Sequence, residues 1–446
     1  MKGRRPRRRI LSAHLPTSIS GSATFLGWRR KVPRRRPPPP DRTGAPSPLI
    51  FHLASGAAIL EKGVALAPLA GDDRFPWAPS LLDRGRAIGP LDQVSVAHEA
   101  ARRLGDFVRG VEAWQTHPHA RRLADPPALW QSGASRLLDF GGRGPAVVAI
   151  PSLINRAYVL DLSAETSLVR HLAGRGLRVF LVDWGVPGPA EAGFDLTAWH
   201  DLRLAPMLAA ARAAAGPVAL LGYCMGGALA AAAAQIAPES LRGLALIGTP
   251  WSFEGGPGMG PTLRGMAREY GAQRLTDELM AMDKAFGAVP SDLLQLLFAL
   301  LDPGLALAKF RRFGRFDPGS PRARRFVELE DWLNDPVPLP GPAAVEILVD
   351  WQIRNLTGAG AWWLSGTRID PARIRLPALA FCSRTDRIAP QASTLPLARA
   401  IPGARLREPH SGHVGMIVGS RARREVWDPL REFLADPPDG DQYRQR

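Results

Sequence analysis

Between residues 217 and 237 an apolar run gives way to an alanine-rich run across one glycine-flanked cysteine, and no other stretch restricts the possible folds so strongly. Pro217-Val218-Ala219-Leu220-Leu221 reads as a buried parallel strand, and residues 228–237 read as a helix. The junction Gly222-Tyr223-Cys224-Met225-Gly226-Gly227 is a Gly-x-Cys-x-Gly elbow with cysteine in place of serine. A nucleophile on so sharp a strand-to-helix turn needs nearly bare neighbours two residues either side, and Gly222 and Gly226 supply them. The turn would give Cys224 the partial positive charge of a helix N-terminus, and the Met225 N–H could face an oxyanion. A buried structural cysteine beside a glycine-rich turn fits the lone motif equally well. The flanking strand and helix favour the nucleophile.

Around the elbow, strands and helices alternate. Ala146-Val147-Val148-Ala149-Ile150 is one strand, followed by a helix with Ser163 and Thr166 as candidate N-caps and an end at Gly174 or Gly176. A strand ending at Asp183 comes next, then a helix from Thr197 to Ala215, and after the elbow a strand over residues 244–247. Such alternation with short links implies a mostly parallel, doubly wound sheet with its active groups at the strand C-terminal ends. Residues 251–373 break the pattern with helical periodicity and read as a cap inserted over that edge. The core resumes with Pro377-Ala378-Leu379-Ala380-Phe381-Cys382, a turn carrying Asp386, a strand near residues 404–407 and the loop Ser411-Gly412-His413-Val414-Gly415. A closing helix takes Asp428 as its cap and Pro429 at its first position.

Cys224, Asp386 and His413 thus follow successive strands in the order nucleophile, acid, base, which is the order of the α/β-hydrolase triad. His410 is the rival base, and Gly412 frees the backbone around His413. The expected fold is therefore α/β-hydrolase. The expected segments are a basic, proline-rich and disordered tail (1–48), a helical N-terminal region (49–143), a first core part (144–250), the cap (251–373) and a second core part (374–446). In the helical region, Val96, Ala100, Leu104 and Val108 mark one apolar face. Residues 128–130 and 136–140 look like short paired strands.

Charge narrows the partners. Of the net +16, residues 1–42 hold +12, with thirteen Lys/Arg against Asp41 alone. No basic patch interleaved with aromatics follows, so no nucleic acid is expected. The tail's arginine-rich, acid-poor composition fits a transit peptide as well as an upstream start, and it lacks the continuous apolar stretch of a secretory signal. The two cysteines, Cys224 and Cys382, form no C-x-x-C and no ligand cluster, which argues against a disulfide framework or metal site and fits a reducing cytoplasm. His117 and His119 have no third ligand nearby and read as a surface turn. The uncharged stretch over residues 213–238 is broken by the elbow and reads as strand plus helix, so no transmembrane segment is expected.

Several motifs together resemble one family. Pro151-Ser152-Leu153-Ile154-Asn155-Arg156-Ala157-Tyr158-Val159-Leu160-Asp161-Leu162, followed by Ser167-Leu168-Val169-Arg170, is similar to the stretch before the elbow in polyhydroxyalkanoate synthases. The elbow resembles their lipase-like box, which carries cysteine, and residues 411–415 resemble their histidine block. Glu330-Asp331-Trp332-Leu333-Asn334-Asp335 and Arg354-Asn355-Leu356 are similar to cap segments of the same family. The likeness spans about residues 130–434 and departs at the N-terminus, where the helical domain of the larger synthases is reduced. It implies an acyltransferase that polymerises (R)-3-hydroxyacyl-CoA on Cys224, with CoA thioester as substrate and no cofactor. His413 would be the base and Asp386 would orient it or act on the incoming hydroxyl. Backbone N–H groups of Met225 and of Leu153 or Ile154 would form the oxyanion site, and Asn155, Tyr158, Trp332 and Asn334 would line the substrate pocket. The implied partners are the nascent polyester or granule surface, with a homodimer admitted and a cytoplasmic, granule-associated location. Two other readings stay open: a thioesterase, depolymerase or dienelactone-type hydrolase with water as acceptor, and a non-catalytic granule scaffold.

Overall fold

The computed structural model describes residues 41–89 and 91–437. Its main sheet comprises β1 (Ala128–Ser132), β2 (Ser135–Asp139), β3 (Ala146–Ile150), β4 (Arg178–Asp183), β5 (Val218–Tyr223) and β6 (Leu241–Ile247). A two-stranded hairpin, β7 (Trp363–Leu364) and β8 (Thr367–Arg368), stands apart, and β9 (Ala378–Phe381) and β10 (Arg405–Arg407) complete the sheet. The order is β1-β2-β4-β3-β5-β6-β9-β10. β1 and β2 run antiparallel at one edge, and every pairing from β4 through β10 is parallel. Every residue of β3 and β5 is buried. This explains their unbroken apolar runs, since a parallel strand between covering helices has no wet face.

Local chemistry moved several helix boundaries. The helix Leu168–Gly174 is capped by Ser167, whose side chain accepts from the Arg170 N–H at 3.0 Å. Ser163 and Thr166 instead close a turn on each other through their backbones. The expected helix from Thr197 to Ala215 is one continuous rod, Leu196–Trp199 and Ala205–Ala215 joined by a π turn at His200–Leu204. Pro206 has no N–H to give to the preceding turn, and the wider turn falls just before it. Asp428 is not a cap, because the chain is already helical through a π turn at Arg423–Trp427. Its carboxylate instead meets His171 Nε2 at 3.1 Å.

The N-terminal region and the cap share a second core. Phe107, Val111 and Trp114 from the helix Gln93–Gln115 pack with Phe310, Phe313 and Val327 of the cap. Val108, expected on the apolar face, is 47% exposed. A row of four-residue steps drifts around a helix of 3.6 residues per turn, so the buried stripe alternates three and four and runs 104, 107, 111, 114. The helix Leu49–Leu66 adds Leu49, Leu53 and Leu60 to this core. By length and composition alone, residues 49–69 could cross a membrane. This stretch differs from the uncharged one at residues 213–238, which is the strand and helix of the elbow.

Of the expected tail, residues 1–40 lie outside the described residues, whereas residues 41–48 are docked. Arg42 is buried and donates to both carboxylate oxygens of Asp331 (2.6 and 2.7 Å) and to the Trp114, His117 and His119 carbonyls. A bidentate, charge-assisted pair holds an arginine that composition alone assigns to solvent. His117 and His119 are likewise not a surface turn. His117 is buried, its Nε2–H donates to the Pro318 carbonyl, its Nδ1 accepts from the His119 N–H, and burial pulls it below the ordinary histidine value. His119 Nε2 meets Glu328 at 2.9 Å.

Candidate active site

β5 ends at Tyr223 and the helix Met225–Ile236 begins two residues on, leaving Cys224 alone at the turn with φ 56° and ψ −132°. Few non-glycine residues hold a positive φ, and the close packing around the elbow imposes it here. A Cβ on Gly222 would overlap Gly227, and one on Gly226 would overlap the Ile150 and Pro151 carbonyl oxygens. Gly227, which the motif does not demand, is needed because Thr249 occupies the space a side chain would take. The Cys224 N–H donates to the Ile247 carbonyl at 2.9 Å, locking the turn to β6.

Asp386 lies five residues beyond β9, with Oδ1 accepting the Ile388 and Ala389 N–H groups, both at 2.8 Å. Its Oδ2 accepts from His413 Nδ1–H at 2.7 Å. That fixes the imidazole and leaves the other nitrogen for Cys224, which lines the same cavity. Burial pulls His413 down, but the Asp386 carboxylate and the Cys224 sulfur outweigh it and hold the imidazole well above its ordinary value. Tyr223 stacks on the ring, centroids 5.2 Å apart at 28°. His410 is exposed and its backbone bonds Glu425, away from this line. Cys382 directly follows β9 in the core, with its thiol pushed up to about 11, chiefly by burial.

Cys224 and His413 open into a cavity of about 550 Å³ between the sheet edge, the cap and the docked N-terminal segment. Residues 145–420 match the family model described as alpha/beta hydrolase fold. The Poly(3-hydroxyalkanoate) polymerase subunit PhaC of Haloferax mediterranei is 28% identical over 318 residues, covering 69% of this chain and 63% of that one. The subunit of the same name from Haloarcula marismortui is 28% identical over 299 residues, covering 66% and 61%. That from Synechocystis is 26% identical over 296 residues, covering 65% and 77%. The chain belongs to the alpha/beta hydrolase fold family and is similar to these poly(3-hydroxyalkanoate) polymerase subunits. It spans just over three fifths of the length of the first two relatives.

Within this cavity, Ile154, Asn155, Trp332 and Asn334 are all wall residues. Trp332 Nε1 donates to the Arg156 carbonyl, and Asn334 is spent on the Ser47 N–H and the Glu330 carbonyl, so both build the wall. Tyr158 is elsewhere, in a smaller polar pocket with Arg121 over its ring at 5.0 Å. A short 3-10 turn, Ala157–Leu160, carries it away from the cavity. Leu153 is buried and does not line the cavity, and the Ile154 N–H is 3.4 Å from Ser152 Oγ. Met225 lines a narrower crevice on the other side of Cys224. Sequence reasoning missed Tyr223, Lys309 and Arg387, all wall residues. The first and last adjoin Cys224 and Asp386 and could have been found as neighbours. Lys309 carries no motif, but its partner Glu330, at 2.6 Å, opens the Glu330-to-Asp335 segment.

Proposed function

We propose that this chain is a polyester synthase that transfers (R)-3-hydroxyacyl groups from CoA to a growing chain through a thioester on Cys224. The observation that carries this reading is the Asp386–His413 pair beside Cys224 in the wall of a cavity large enough for an acyl chain. The Cys224 thiolate attacks the substrate's thioester carbonyl, the bond to the CoA sulfur breaks, and the imidazolium of His413 gives that sulfur its proton. The two thioesters are close in energy, so the acyl group remains ready for an alcohol. The 3-hydroxyl of the next hydroxyacyl-CoA passes its proton to His413, and its oxygen bonds the acyl carbon while the carbon–Sγ bond breaks. The lengthened chain, now on CoA, returns to Cys224 with release of CoA–SH. Asp386 keeps the ring oriented and stabilises its charge, and the helix N-terminus at Met225 faces the oxyanion. On this reading the reaction would need no cofactor, and the protein would work in the cytoplasm at the surface of its product.

The test is CoA release and polymer yield from (R)-3-hydroxybutyryl-CoA, with mass spectrometry for an acyl adduct on Cys224. Cys224→Ala should abolish both activities, and Cys382→Ala should leave them unchanged. Cys224→Ser keeps the elbow but stores the chain as an oxygen ester, a poorer donor to an alcohol, so polymer should fall by orders of magnitude with slow acylation remaining. Near-normal polymer from either Cys224 variant would defeat the mechanism. Release of free hydroxy acid alone by the parent would make it a hydrolase.

A further inference from the structure

The residue before the nucleophile is one that the elbow leaves free. Steric demand falls on Gly222, Gly226 and Gly227, whereas Tyr223 has only to end β5. Its ring nevertheless lies stacked on His413, with centroids 5.2 Å apart at 28°, and it shares the cavity wall with that histidine and Cys224. We propose that Tyr223 is a positioning residue for the base: its ring face keeps the His413 imidazole aimed at Cys224 and stabilises the cation that the imidazole becomes. This assignment rests on the polymerase reading above.

The contacts around the imidazole restrain it in different ways. Asp386 Oδ2 accepts from Nδ1–H at 2.7 Å, which fixes one atom and leaves the ring free to swing about that bond. Gly248, at φ 56°, comes so close that a Cβ there would lie 3.1 Å from His413 Cε1 and Nδ1. Tyr223 covers a face of the ring with a flat surface that a swing would have to push aside. Its hydroxyl adds little, since it reaches the His413 carbonyl only at 3.5 Å. Burial holds the phenol well above its ordinary value, helped by Cys224 and Asp386, so Tyr223 stays neutral.

The stack matters most once Cys224 is acylated. In the free protein the charge on His413 is favoured by the Asp386 carboxylate and by the Cys224 sulfur, against burial. A thioester sulfur is neutral, so acylation withdraws the second of these. The ring must then take the proton of the incoming 3-hydroxyl with the Asp386 carboxylate as its remaining anionic partner. The negative face of an aromatic ring attracts a cation within about 6 Å of its centroid, and more strongly where water is excluded. Tyr223 and His413 are both buried. Tyr223 thus supplies part of the missing attraction at the step that needs the base. Departure of CoA uses the imidazolium as an acid, and a weaker base gives a stronger acid, so that step depends less on the stack.

The experiment compares Tyr223→Phe, Tyr223→Leu and a Tyr223→Phe series whose ring carries one, two or three fluorines, all in the full chain. Fluorine thins the electron density of the ring face with almost no change of shape, so the series probes the stack while keeping the fold. Two quantities are read. One is the protonation midpoint of His413, by NMR on histidine-labelled protein, assigned with His413→Gln. The other is CoA release from (R)-3-hydroxybutyryl-CoA, in the first turnover and at the sustained rate. Tyr223→Phe should keep the parent's midpoint and most of its rate. Tyr223→Leu should lower the midpoint by about one pH unit, with sustained release falling about tenfold and the first turnover by less than about threefold. Successive fluorines should lower the midpoint and the sustained rate together, in steps. A midpoint that stays fixed along the fluorine series would overturn the assignment. So would a Tyr223→Phe variant that falls as far as Tyr223→Leu, since the hydroxyl would then be the acting group. Loss of rate in Tyr223→Leu with the midpoint unmoved would reduce Tyr223 to packing, which also overturns it. A parent that releases no CoA, or releases it with free hydroxy acid alone, defeats the polymerase reading; the midpoint series needs no turnover and still decides the stack.

Discussion

His413 bears three opposed influences within one buried ring: burial, the Asp386 carboxylate and the Cys224 sulfur. Its proton is held well above the ordinary histidine value, so the imidazolium survives to higher pH than a free histidine would allow. As pH rises through the folded-state value, that proton is lost, and under the proposed mechanism the departing CoA sulfur would have no donor. Asp386→Asn removes the main influence that raises this value. The alkaline limb of the kcat/KM profile should therefore move to lower pH by at least about one unit, with activity falling throughout. An alkaline limb at the parent's position would show that Asp386 does not set the histidine's protonation. At this scale the elbow glycines were readable, because local sterics demand them, and Cys224, Asp386 and His413 were singled out by their order along the chain. Tyr158 was misplaced because a resemblance conveys that a residue recurs in a motif, not which way the following turn carries it. Lys309 and Arg42 were unreadable for another reason. Their carboxylate partners, Glu330 and Asp331, lie 21 and 289 residues away in sequence.

At the scale of elements, the strands were legible and the helix ends less so. Unbroken apolar runs such as residues 146–150 can only be buried strands or buried helices, and their length decides between them. A cap depends on which of several nearby hydroxyls meets a free amide, so Ser163, Thr166 and Ser167 are hard to rank without coordinates. The π turns had no periodic signature at all, and one of them carries a testable consequence. Glu346 begins the π turn Glu346–Trp351 with its carboxylate on the Leu196 N–H at 3.2 Å. Burial raises it to about 7 from an ordinary 4.5, helped by Asp195 and Asp350. Between those two values the unfolded chain has lost the proton that the folded chain keeps. The stability this one group contributes is therefore fully present below about pH 4.5 and is lost as pH rises through about 7. Glu346→Gln keeps an acceptor for Leu196 without the charge. Its Tm should exceed the parent's at pH 8 and match it near pH 4.5, a gap worth at most about 3 kcal/mol. Equal melting temperatures at both pH values would show that this carboxylate is effectively solvated.

For the molecule as a whole, what composition and periodicity divided into tail, helical region and cap is mechanically one body around the cavity. The helix Leu305–Phe313 turns Leu305, Ala306 and Lys309 toward the cavity while Leu307, Phe310 and Phe313 pack into the second core with Phe107 and Trp114. Each apolar segment advertises its own buried face, but which faces meet is decided by contacts some 200 residues apart, so this joint was invisible in the sequence. It makes the N-terminal region a support for the cavity wall, and under the proposed mechanism that wall would keep water from the acyl thioester. Phe310→Leu should cost about 1–2 kcal/mol through lost packing at a fully buried ring. It should also loosen the wall, raising the ratio of free 3-hydroxybutyrate to polymer made from the same CoA thioester. Phe433→Leu supplies the comparison, since Phe433 is buried in the main core on the closing helix Asp428–Ala435 and lines neither opening. That variant should lose comparable stability with the product ratio unmoved. If both variants shift the ratio equally, water enters through general softening, and the second core has no special part in guarding the thioester.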